Sequence, residues 1–530
     1  MIHLSRTKLT GAIVSMVAVL LVTSCAGSGS SGPPAAPSGD SGPRKVEPTP
    51  IIESKPTRPP TDKPDERPNI VLITTDDQTM TDMEWMPQTR HLIGDAGVTF
   101  PRSLSPHPLC CPARAEILTG QYAQNNGVRH NTPQMLGGFP RLDPAHTIAT
   151  WLHAARYQTA FIGKYLNGYT KQDGFEPGWD IWNPTIGGVY RYFEYTMLNN
   201  GVHRYYDDLH NVDLLGQQTA EYISSFSEQD EPFFIWASHV APHSACVPKR
   251  GERCWEPALP AERHADLFPD AESPSLSDPA FNEGDVSDKP DDIRETGPAD
   301  TDEVNDTFRG RIRSLQAVDD AVASTVEALR NAGELDNTFI VFTSDNGYLL
   351  GEHTYTGKNV PYEQALRVPL LVRGPGIPGG TERDQVVSTI DLAPTFLDAG
   401  DATANRLVDG RSILPILRGA DVPGYDTVLI QSGPRDRAEL RNGWGYRGVR
   451  TDRYTYARYP ETGFTELYDR VRDPAEIDNV SGNPDYRKVK AELARRTRQL
   501  GHCSGAECRV RFGPLPAVRD RIGLPSDPRG

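Results

Sequence analysis

Cysteine is scarce in this chain, with seven residues among 530, and two of them, Cys110 and Cys111, stand side by side. Basic residues are also in deficit, because 55 Lys and Arg face 71 Asp and Glu and leave a net charge of −16. A surface of that charge argues against nucleic acid or an anionic membrane face as a broad partner. An anionic substrate would therefore need positive charge built locally, by a metal ion or a few cationic side chains.

Long apolar runs are missing except for one near the start, from Leu9 to Val22. That run is too short to span a bilayer, and it follows Arg6 and Lys8 as in a targeting segment. It ends in "LVTSC", which resembles a bacterial lipobox. Residues 1–25 are therefore predicted to be a lipoprotein signal peptide, with Cys25 as the lipid-bearing residue and a plain signal peptide as the alternative. The protein would then be exported and anchored to the outer side of the bacterial cell membrane.

Aromatic residues are absent from residues 26–67, where Pro, Ser, Gly and charged residues dominate. Such a segment cannot bury enough apolar surface to offset the entropy lost on ordering. It is predicted to be a disordered tether that holds a folded domain away from a membrane or wall surface.

Short apolar runs rich in β-branched residues recur further along the chain and predict buried strands. They lie at residues 70–75, 159–163, 233–238, 339–344 and 369–373. Helical patterns lie between them, notably at 319–330. Strands that alternate with helices predict an α/β domain over residues 68–420, with a mostly parallel central sheet flanked by helices.

The pattern changes after residue 420. Segments typical of antiparallel strands and turns, followed by a helix near 486–500, predict a smaller α+β domain with an antiparallel sheet over residues 421–530. Within the larger domain, residues 270–306 are acidic and rich in Pro and Ser, and they are predicted to form a long surface excursion.

The two adjacent cysteines stand at the start of a predicted helix. Counted from Cys110, the spacing is C-x-P-x-R, with Pro112 suited to the first helical position and Gly120 to the residue past the end. A helix N-terminus favours an anion, and Arg114, one turn on, can reach back toward the same place. Counting from Cys111 puts an alanine where the arginine should be. Cys110 is therefore the predicted functional cysteine.

Acidic clusters follow two of the predicted strands, with Asp76 and Asp77 after the first and Asp345 and Asn346 after the strand at 339–344. The carboxyl ends of parallel strands lie along one edge of a sheet, where sites gather. Three carboxylates and an amide oxygen are hard ligands that suit Ca²⁺ or Mg²⁺ and not zinc. Each cluster alone is more typical of an ordinary turn or cap. Only the two clusters together predict a metal site.

Further segments complete a family pattern: "GKYLNGY" supplies Lys164, "APH" supplies His243, and "TGKNVPYE" supplies Lys358. With the cysteine motif and the acidic clusters, they make the chain resemble the type I sulfatases. The resemblance implies an alkaline-phosphatase-like fold and the hydrolysis of sulfate esters. It also implies that Cys110 is oxidised to Cα-formylglycine by a formylglycine-generating enzyme, and that the bound metal is Ca²⁺, with Mg²⁺ as the alternative.

The resemblance also assigns roles to residues. The metal ligands would be Asp76, Asp77, Cys110, Asp345 and Asn346. The catalytic residues would be Cys110, Arg114, Lys164, His243 and Lys358. The three cations would hold the charge of the sulfate as the S–O bond breaks, and His243 would protonate the leaving alcohol.

The segments "CCPAR", "TSDNGYLLGEH" and the late "CSGAEC" are most similar in sequence to those of N-acetylglucosamine-6-sulfatases. This resemblance implies a sulfated sugar as the substrate. One position departs from the family. Many sulfatases have a histidine two residues after the active-site lysine, and this chain has Leu166 there, with Asn167 next to it as a substitute.

The remaining cysteines suit an exported protein. Cys246 and Cys254 enclose one short segment and Cys503 and Cys508 another, which predicts two short-loop disulfides. Cys111 is left as a small buried hydrophobe. Cys110 and Cys111 could instead be two buried thiols or a strained disulfide between neighbours.

Two other functions stay open on the sequence. The first is hydrolysis of phosphate or phosphonate esters, since relatives on the same fold share the formylglycine and the metal. The second is a non-enzymatic lipoprotein that binds an anion while Cys110 remains a thiol.

Overall fold

A computed structural model of the protein describes residues 65–246 and 257–518. The predicted signal peptide with Cys25, all but the last residues of the predicted tether, and Cys254 lie outside the described residues. The strands are β1 (Asn69–Thr75), β2 (Val98–Thr99), β3 (Ser103–Leu104), β4 (Gln158–Gly163), β5 (Ile181–Gly187), β6 (Tyr195–Asn199), β7 (Val202–Tyr206), β8 (Phe233–Ser238), β9 (Thr338–Ser344), β10 (Leu349–Leu350), β11 (Thr356–Gly357), β12 (Leu370–Arg373), β13 (Thr381–Glu382), β14 (Val387–Ser388), β15 (Val428–Ser432), β16 (Tyr446–Arg450), β17 (Tyr454–Arg458) and β18 (Thr465–Asp469). The α-helices are α1 (Pro87–Thr89), α2 (Cys110–Thr119), α3 (Ala123–Asn126), α4 (Ile148–Ala154), α5 (Asn211–Phe226), α6 (Asp291–Arg294), α7 (Thr301–Asn331), α8 (Glu363–Leu366), α9 (Leu392–Ala399), α10 (Leu414–Leu417) and α11 (Arg487–Leu500).

The central sheet has ten strands in the order β13-β2-β12-β9-β1-β8-β4-β5-β6-β7. Its five middle strands, from β9 to β5, are parallel, while β12 is antiparallel to β9, and β6 is antiparallel to both β5 and β7. This confirms the prediction of a mostly parallel sheet in an α/β domain.

The middle strands are apolar because both faces of the sheet are covered. All seven residues of β1 are buried. Ile70 and Leu72 pack on one face in a cluster with residues of α2, α4 and α9. Val71 and Ile73 pack on the other face with residues of α5 and α7. Side chains along a strand alternate between faces, so one continuous apolar run supplies both halves of the core.

Helix α7 is longer than the sequence pattern predicts. It starts at Thr301 because the side chain of Asp300 accepts the free N–H groups of Asp302 and Glu303. The predicted surface excursion therefore ends before residue 301. It is also not wholly a surface segment, since Ile293 and Lys289 are buried.

A second sheet, β15-β16-β17-β18, is antiparallel throughout. Helix α11 packs against it through a cluster that includes Val449, Leu467 and Leu493. The small antiparallel sheet agrees with the predicted fold class, and the boundary at residue 420 stays a prediction. Cys503 and Cys508, just after α11, form a disulfide. Within the described residues, no helix is long and apolar enough to cross a membrane.

Candidate active site

The parallel strands deliver the predicted site residues to one edge of the sheet. Asp76 and Asp77 come directly after β1, and Lys164 comes directly after β4. His243 comes shortly after β8, and Asp345 and Asn346 come directly after β9. Because Thr75 at the end of β1 lies opposite Ser344 at the end of β9, the two acidic clusters are neighbours.

Helix α2 brings Cys110 to the same place. The helix begins at Cys110 itself, after Leu109 in extended conformation, so Pro112 is its third residue and not its first as predicted. Gly120 ends the helix with φ of 64°, a left-handed conformation that glycine adopts without strain. Cys110 is buried, and its Sγ lies 3.4 Å from Asp76 Oδ1.

Three carboxylates share the centre of the site. Oxygen atoms of Asp76, Asp77 and Asp345 all lie within 4.8 Å of one another, and the three residues are buried. Arg114 partly offsets their repulsion, since its Nε donates to Asp345 Oδ2 over 2.8 Å and its Nη2 lies 3.3 Å from Asp76 Oδ2. Lys164 Nζ donates to Asp76 Oδ2 as well. The centre thus combines buried carboxylates with fixed cations.

Lys358 reaches the centre from a loop far along the chain. Its Nζ donates to Asp77 Oδ1 and lies 2.9 Å from Cys110 Sγ. Together with Arg114 and Lys164, it brings a third positive charge close to residue 110. The three cations can therefore contact an anionic group next to that residue.

These charges shift the pKa values of the groups they surround. Burial alone would raise the pKa of Asp76, but Lys164 and the other cations outweigh burial and hold that pKa below its usual range. Burial, helped by Asp76, raises the pKa of Cys110 to about 12. An unmodified Cys110 is therefore a neutral thiol and a poor nucleophile at neutral pH.

His243 lies at the edge of the three-carboxylate centre. Its Nδ1 donates to the carbonyl of Ser244 over 2.8 Å, and its Nε2 lies 3.7 Å from Asp77 Oδ2. Burial lowers the pKa of His243 to about 3, so the ring is neutral at neutral pH. To protonate a leaving alcohol, Nε2 must first gain a proton; that role remains a prediction.

The oxygen atoms at the centre fit a hard cation. Asn346 Nδ2 donates to Asp77 Oδ1 over 2.7 Å, and Asn346 Oδ1 is buried with no hydrogen-bond partner among the described residues. A buried carbonyl oxygen without a partner is costly unless it has a ligand. Three carboxylates beside it complete an oxygen donor set suited to Ca²⁺ or Mg²⁺.

Leu166, which replaces the usual histidine, is buried with 3% of its surface exposed. Its neighbour Asn167 donates from its backbone N–H to Cys111 Sγ over 3.0 Å and from Nδ2 to Tyr190 Oη over 2.7 Å. The substitute proposed from the sequence therefore reaches the site through Tyr190.

Sequence reasoning missed two residues of the site. Ser238 Oγ accepts from Arg114 Nη1 over 2.5 Å and donates to the carbonyl of Lys164 over 2.7 Å. Ser238 is the last residue of β8, so the strand-end rule could have found it. Tyr190 lies shortly after two glycines, the last residue of β5 and Gly188, and it belongs to no recognisable motif.

A mixed sheet with carboxylates and cations gathered at the carboxyl ends of its parallel strands is the arrangement of an α/β enzyme. Residues 68–402 match the family model described as Sulfatase. Residues 351–502 match the model described as N-sulphoglucosamine sulphohydrolase, C-terminal. The chain belongs to the sulfatase family, which confirms the resemblance seen in the sequence.

Two relatives illustrate the similarity. The chain is 33% identical over 511 residues to the N-acetylglucosamine-6-sulfatase of Homo sapiens, an alignment that covers 87% of this chain and 88% of the relative. It is 35% identical over 395 residues to the extracellular sulfatase SULF-1 homolog of Drosophila melanogaster, covering 70% of this chain and 34% of the relative. The matched region is thus about a third of the Drosophila protein.

Solved structures share the fold. One, of a protein in complex with its substrate D-glucosamine-2-N,6-O-disulfate, superposes with a TM-score of 0.67 at 23% identity, covering 82% of this chain and 97% of that one. The phosphonate monoester hydrolase of Agrobacterium radiobacter superposes with a TM-score of 0.60 at 22% identity, covering 83% and 96%.

Proposed function

We propose that the protein hydrolyses sulfate esters of sulfated sugars in the manner of an N-acetylglucosamine-6-sulfatase. The observation that carries the proposal is the convergence of Arg114, Lys164 and Lys358 on the three-carboxylate centre beside Cys110. The similarity to the human N-acetylglucosamine-6-sulfatase over 87% of the chain supports the sugar substrate.

The cations of the site are suited to a sulfate ester. Arg114 is anchored by Asp345 and by Ser238, so its guanidinium is held in one orientation. Lys164 and Lys358 each end against a carboxylate, within reach of the same space. Such fixed positive groups stabilise charge that develops on the sulfate as the S–O bond breaks.

Asp76, Asp77, Asp345 and Asn346 would hold the metal ion, with residue 110 beside it. We propose Ca²⁺, with Mg²⁺ as the alternative, because all four side chains offer oxygen. When bound, the ion supplies positive charge for a sulfate oxygen and lowers the pKa of a neighbouring hydroxyl group.

Oxidation of Cys110 to Cα-formylglycine is part of the proposal. The neutral thiol of an unmodified Cys110 is a poor nucleophile, whereas the hydrated aldehyde supplies one hydroxyl group for attack and a second for release of sulfate. A formylglycine-generating enzyme would be needed for this maturation.

Export and lipid attachment at Cys25 complete the proposal. The apolar run before "LVTSC" supports it, and so does the extracellular location in the name of the Drosophila relative. Residues 26–67 would then separate the enzyme from the membrane, where it would meet sulfated carbohydrate.

The test is a substrate panel with purified, Ca²⁺-loaded protein in which mass spectrometry has measured the conversion of Cys110. We expect free sulfate from N-acetylglucosamine 6-sulfate, and less from the 3-sulfate. Sulfate release from other sugars only would refute the N-acetylglucosamine-6-sulfatase assignment.

Hydrolysis of phosphonate or phosphate esters is the second candidate, favoured by the superposition on a phosphonate monoester hydrolase. The same panel includes a phenyl phosphonate monoester, and faster release of phosphonate than of sulfate would support this candidate. A protein that keeps Cys110 as a thiol and turns over neither ester would instead be an anion-binding lipoprotein.

A further inference from the structure

The ring of Tyr190 contacts two residues of the site. Lys164 Nζ lies 4.3 Å from the centre of the ring. The imidazole of His243 stacks on the same ring, with centroids 4.3 Å apart and planes 22° from parallel. Tyr190 thus touches both a cation that faces Asp76 and the proposed proton donor.

Neighbouring groups hold Tyr190 in place. Asn167 Nδ2 donates to Tyr190 Oη over 2.7 Å, and the carbonyl of Tyr190 accepts from the N–H of Cys246 over 2.9 Å. Gly188, with φ of 68°, begins a tight turn in which its carbonyl accepts from the N–H of Arg191 over 2.8 Å. Asn167 therefore holds the edge of the ring, and the segment that carries His243 holds the backbone of Tyr190.

We propose that Tyr190 is a positioning residue for Lys164 and His243, and that Asn167 orients its ring. The pair takes the place of the histidine that many sulfatases have at the position of Leu166. This inference rests on the proposed function, because it concerns how the sulfate ester is cleaved.

The physical reason lies in the two side chains that Tyr190 contacts. Lysine has a long, flexible side chain, and the negative face of an aromatic ring restrains its ammonium group through a cation–π contact. The imidazole of His243 donates from Nδ1 to the carbonyl of Ser244, and the stacked ring of Tyr190 restrains the plane of the imidazole. Both contacts use the face of the ring and neither uses the hydroxyl group. Phenylalanine should therefore preserve them, and leucine should not.

The experiment compares two sulfate esters with different leaving groups. Nitrophenolate leaves from 4-nitrophenyl sulfate without a proton, whereas a sugar alkoxide needs one. Tyr190→Leu is expected to lower kcat on the sugar sulfate at least about 100-fold, the lower end of what a positioned acid contributes. The loss on 4-nitrophenyl sulfate should be only about 10-fold, because that reaction loses the positioned Lys164 but needs no acid. KM should change less than about 3-fold, since the effect is on the transition state.

Conservative and control variants separate positioning from folding. Tyr190→Phe keeps the ring face but loses the hydrogen bond from Asn167 Nδ2. Its kcat on the sugar sulfate is expected to fall by about 3- to 10-fold, the equivalent of one hydrogen bond and much less than in Tyr190→Leu. Phe193 lies in the same loop as Tyr190, and its ring packs against that of His210, with centroids 5.2 Å apart. Phe193→Leu removes this ring and should leave both rates unchanged. Metal content and melting temperature are measured for every variant.

Equal losses on the two esters in folded Tyr190→Leu would overturn the inference, as would no loss. Should Tyr190→Leu not fold, Asn167→Ala decides, because, like Tyr190→Phe, it keeps the ring and removes only the hydrogen bond that orients it. A ratio of the sugar sulfate rate to the nitrophenyl sulfate rate that falls by about 3- to 10-fold supports the inference, and an unchanged ratio refutes it. Native protein that releases sulfate from neither ester refutes the proposed function itself. Active native protein with an unchanged ratio in the variants refutes the role of Tyr190 alone.

Discussion

Lys358 Nζ lies 2.9 Å from Cys110 Sγ, although 248 positions separate the two residues in the chain. The same amino group donates to Asp77. An ammonium group at this distance stabilises negative charge on whatever atom the side chain of residue 110 carries. The contact therefore places the cysteine of the family motif beside the three-carboxylate centre.

Cys110→Ser should form a covalent sulfate and stop. Serine has one hydroxyl group where the hydrated aldehyde has two, and Arg114, Lys164 and Lys358 remain to position it. Attack on the ester can then occur once, but release of sulfate needs the missing hydroxyl. Mass spectrometry after incubation with substrate should show one added sulfo group on the peptide with residue 110.

Sustained turnover by this variant would contradict the formylglycine mechanism and would favour attack by water. The matched control is Cys111→Ser. Cys111 Sγ accepts the backbone N–H of Asn167, a contact that a hydroxyl group can keep, so activity should remain within about 3-fold.

Asp345→Ala should abolish metal binding and activity. Asp345 is one of three carboxylates within 4.8 Å of one another, and its loss also removes the partner of Arg114. Elemental analysis should find the metal in the purified native protein and not in the variant, and a chelator should inactivate the native protein. Asp336→Ala, at the other end of β9 and exposed, should bind the metal normally. Full activity in metal-free protein would refute the assigned site.

Arg114→Ala should lower the free energy of unfolding by about 3–5 kcal/mol, because the buried Asp345 loses its cation and Asp76 keeps Lys164 but loses Arg114. Urea denaturation in the absence of metal measures this change.

Arg114→Lys keeps the charge but not the contacts with Asp345, Ser238 and the carbonyl of Lys164. Its kcat should fall at least about 10-fold, because a point charge does not replace the guanidinium fork. Native kcat in the lysine variant would show that charge alone suffices.

Two disulfides are expected in a non-reducing peptide map. Cys503 and Cys508 are bonded in the structure, and the double change to serine should cost up to about 2 kcal/mol, because the closed loop is short. Cys246 is also disulfide-bonded, and Cys254 is its predicted partner. A map with Cys254 as a free thiol would refute that pairing.

Cys25→Ser should move the protein from the membrane fraction to the soluble fraction of the bacterial host. A thioether-linked lipid needs the cysteine sulfur, and the rest of the signal peptide is unchanged. Fractionation with an antibody to the folded domain checks this. Unchanged partitioning would favour ordinary signal cleavage.

The local features of this protein can be predicted from its sequence alone. Buried strands such as β1 and β9 appear as continuous apolar runs because both faces of the sheet are covered. The choice of Cys110 over Cys111 follows from the spacing to Arg114 within one helix, and the helix end follows from Gly120. Each of these features depends on residues a few positions apart, so pattern and propensity are enough to predict it.

The contacts between residues far apart in the chain depend on how the elements pack in three dimensions. Tyr190 lies in the turn that begins at Gly188, and it belongs to no recognisable motif. Its contacts with Lys164 and His243 arise from the packing of three separate segments. The neutral state of His243 likewise depends on burial. Positions and protonation states of this kind are set by long-range contacts and desolvation, which a linear pattern does not encode.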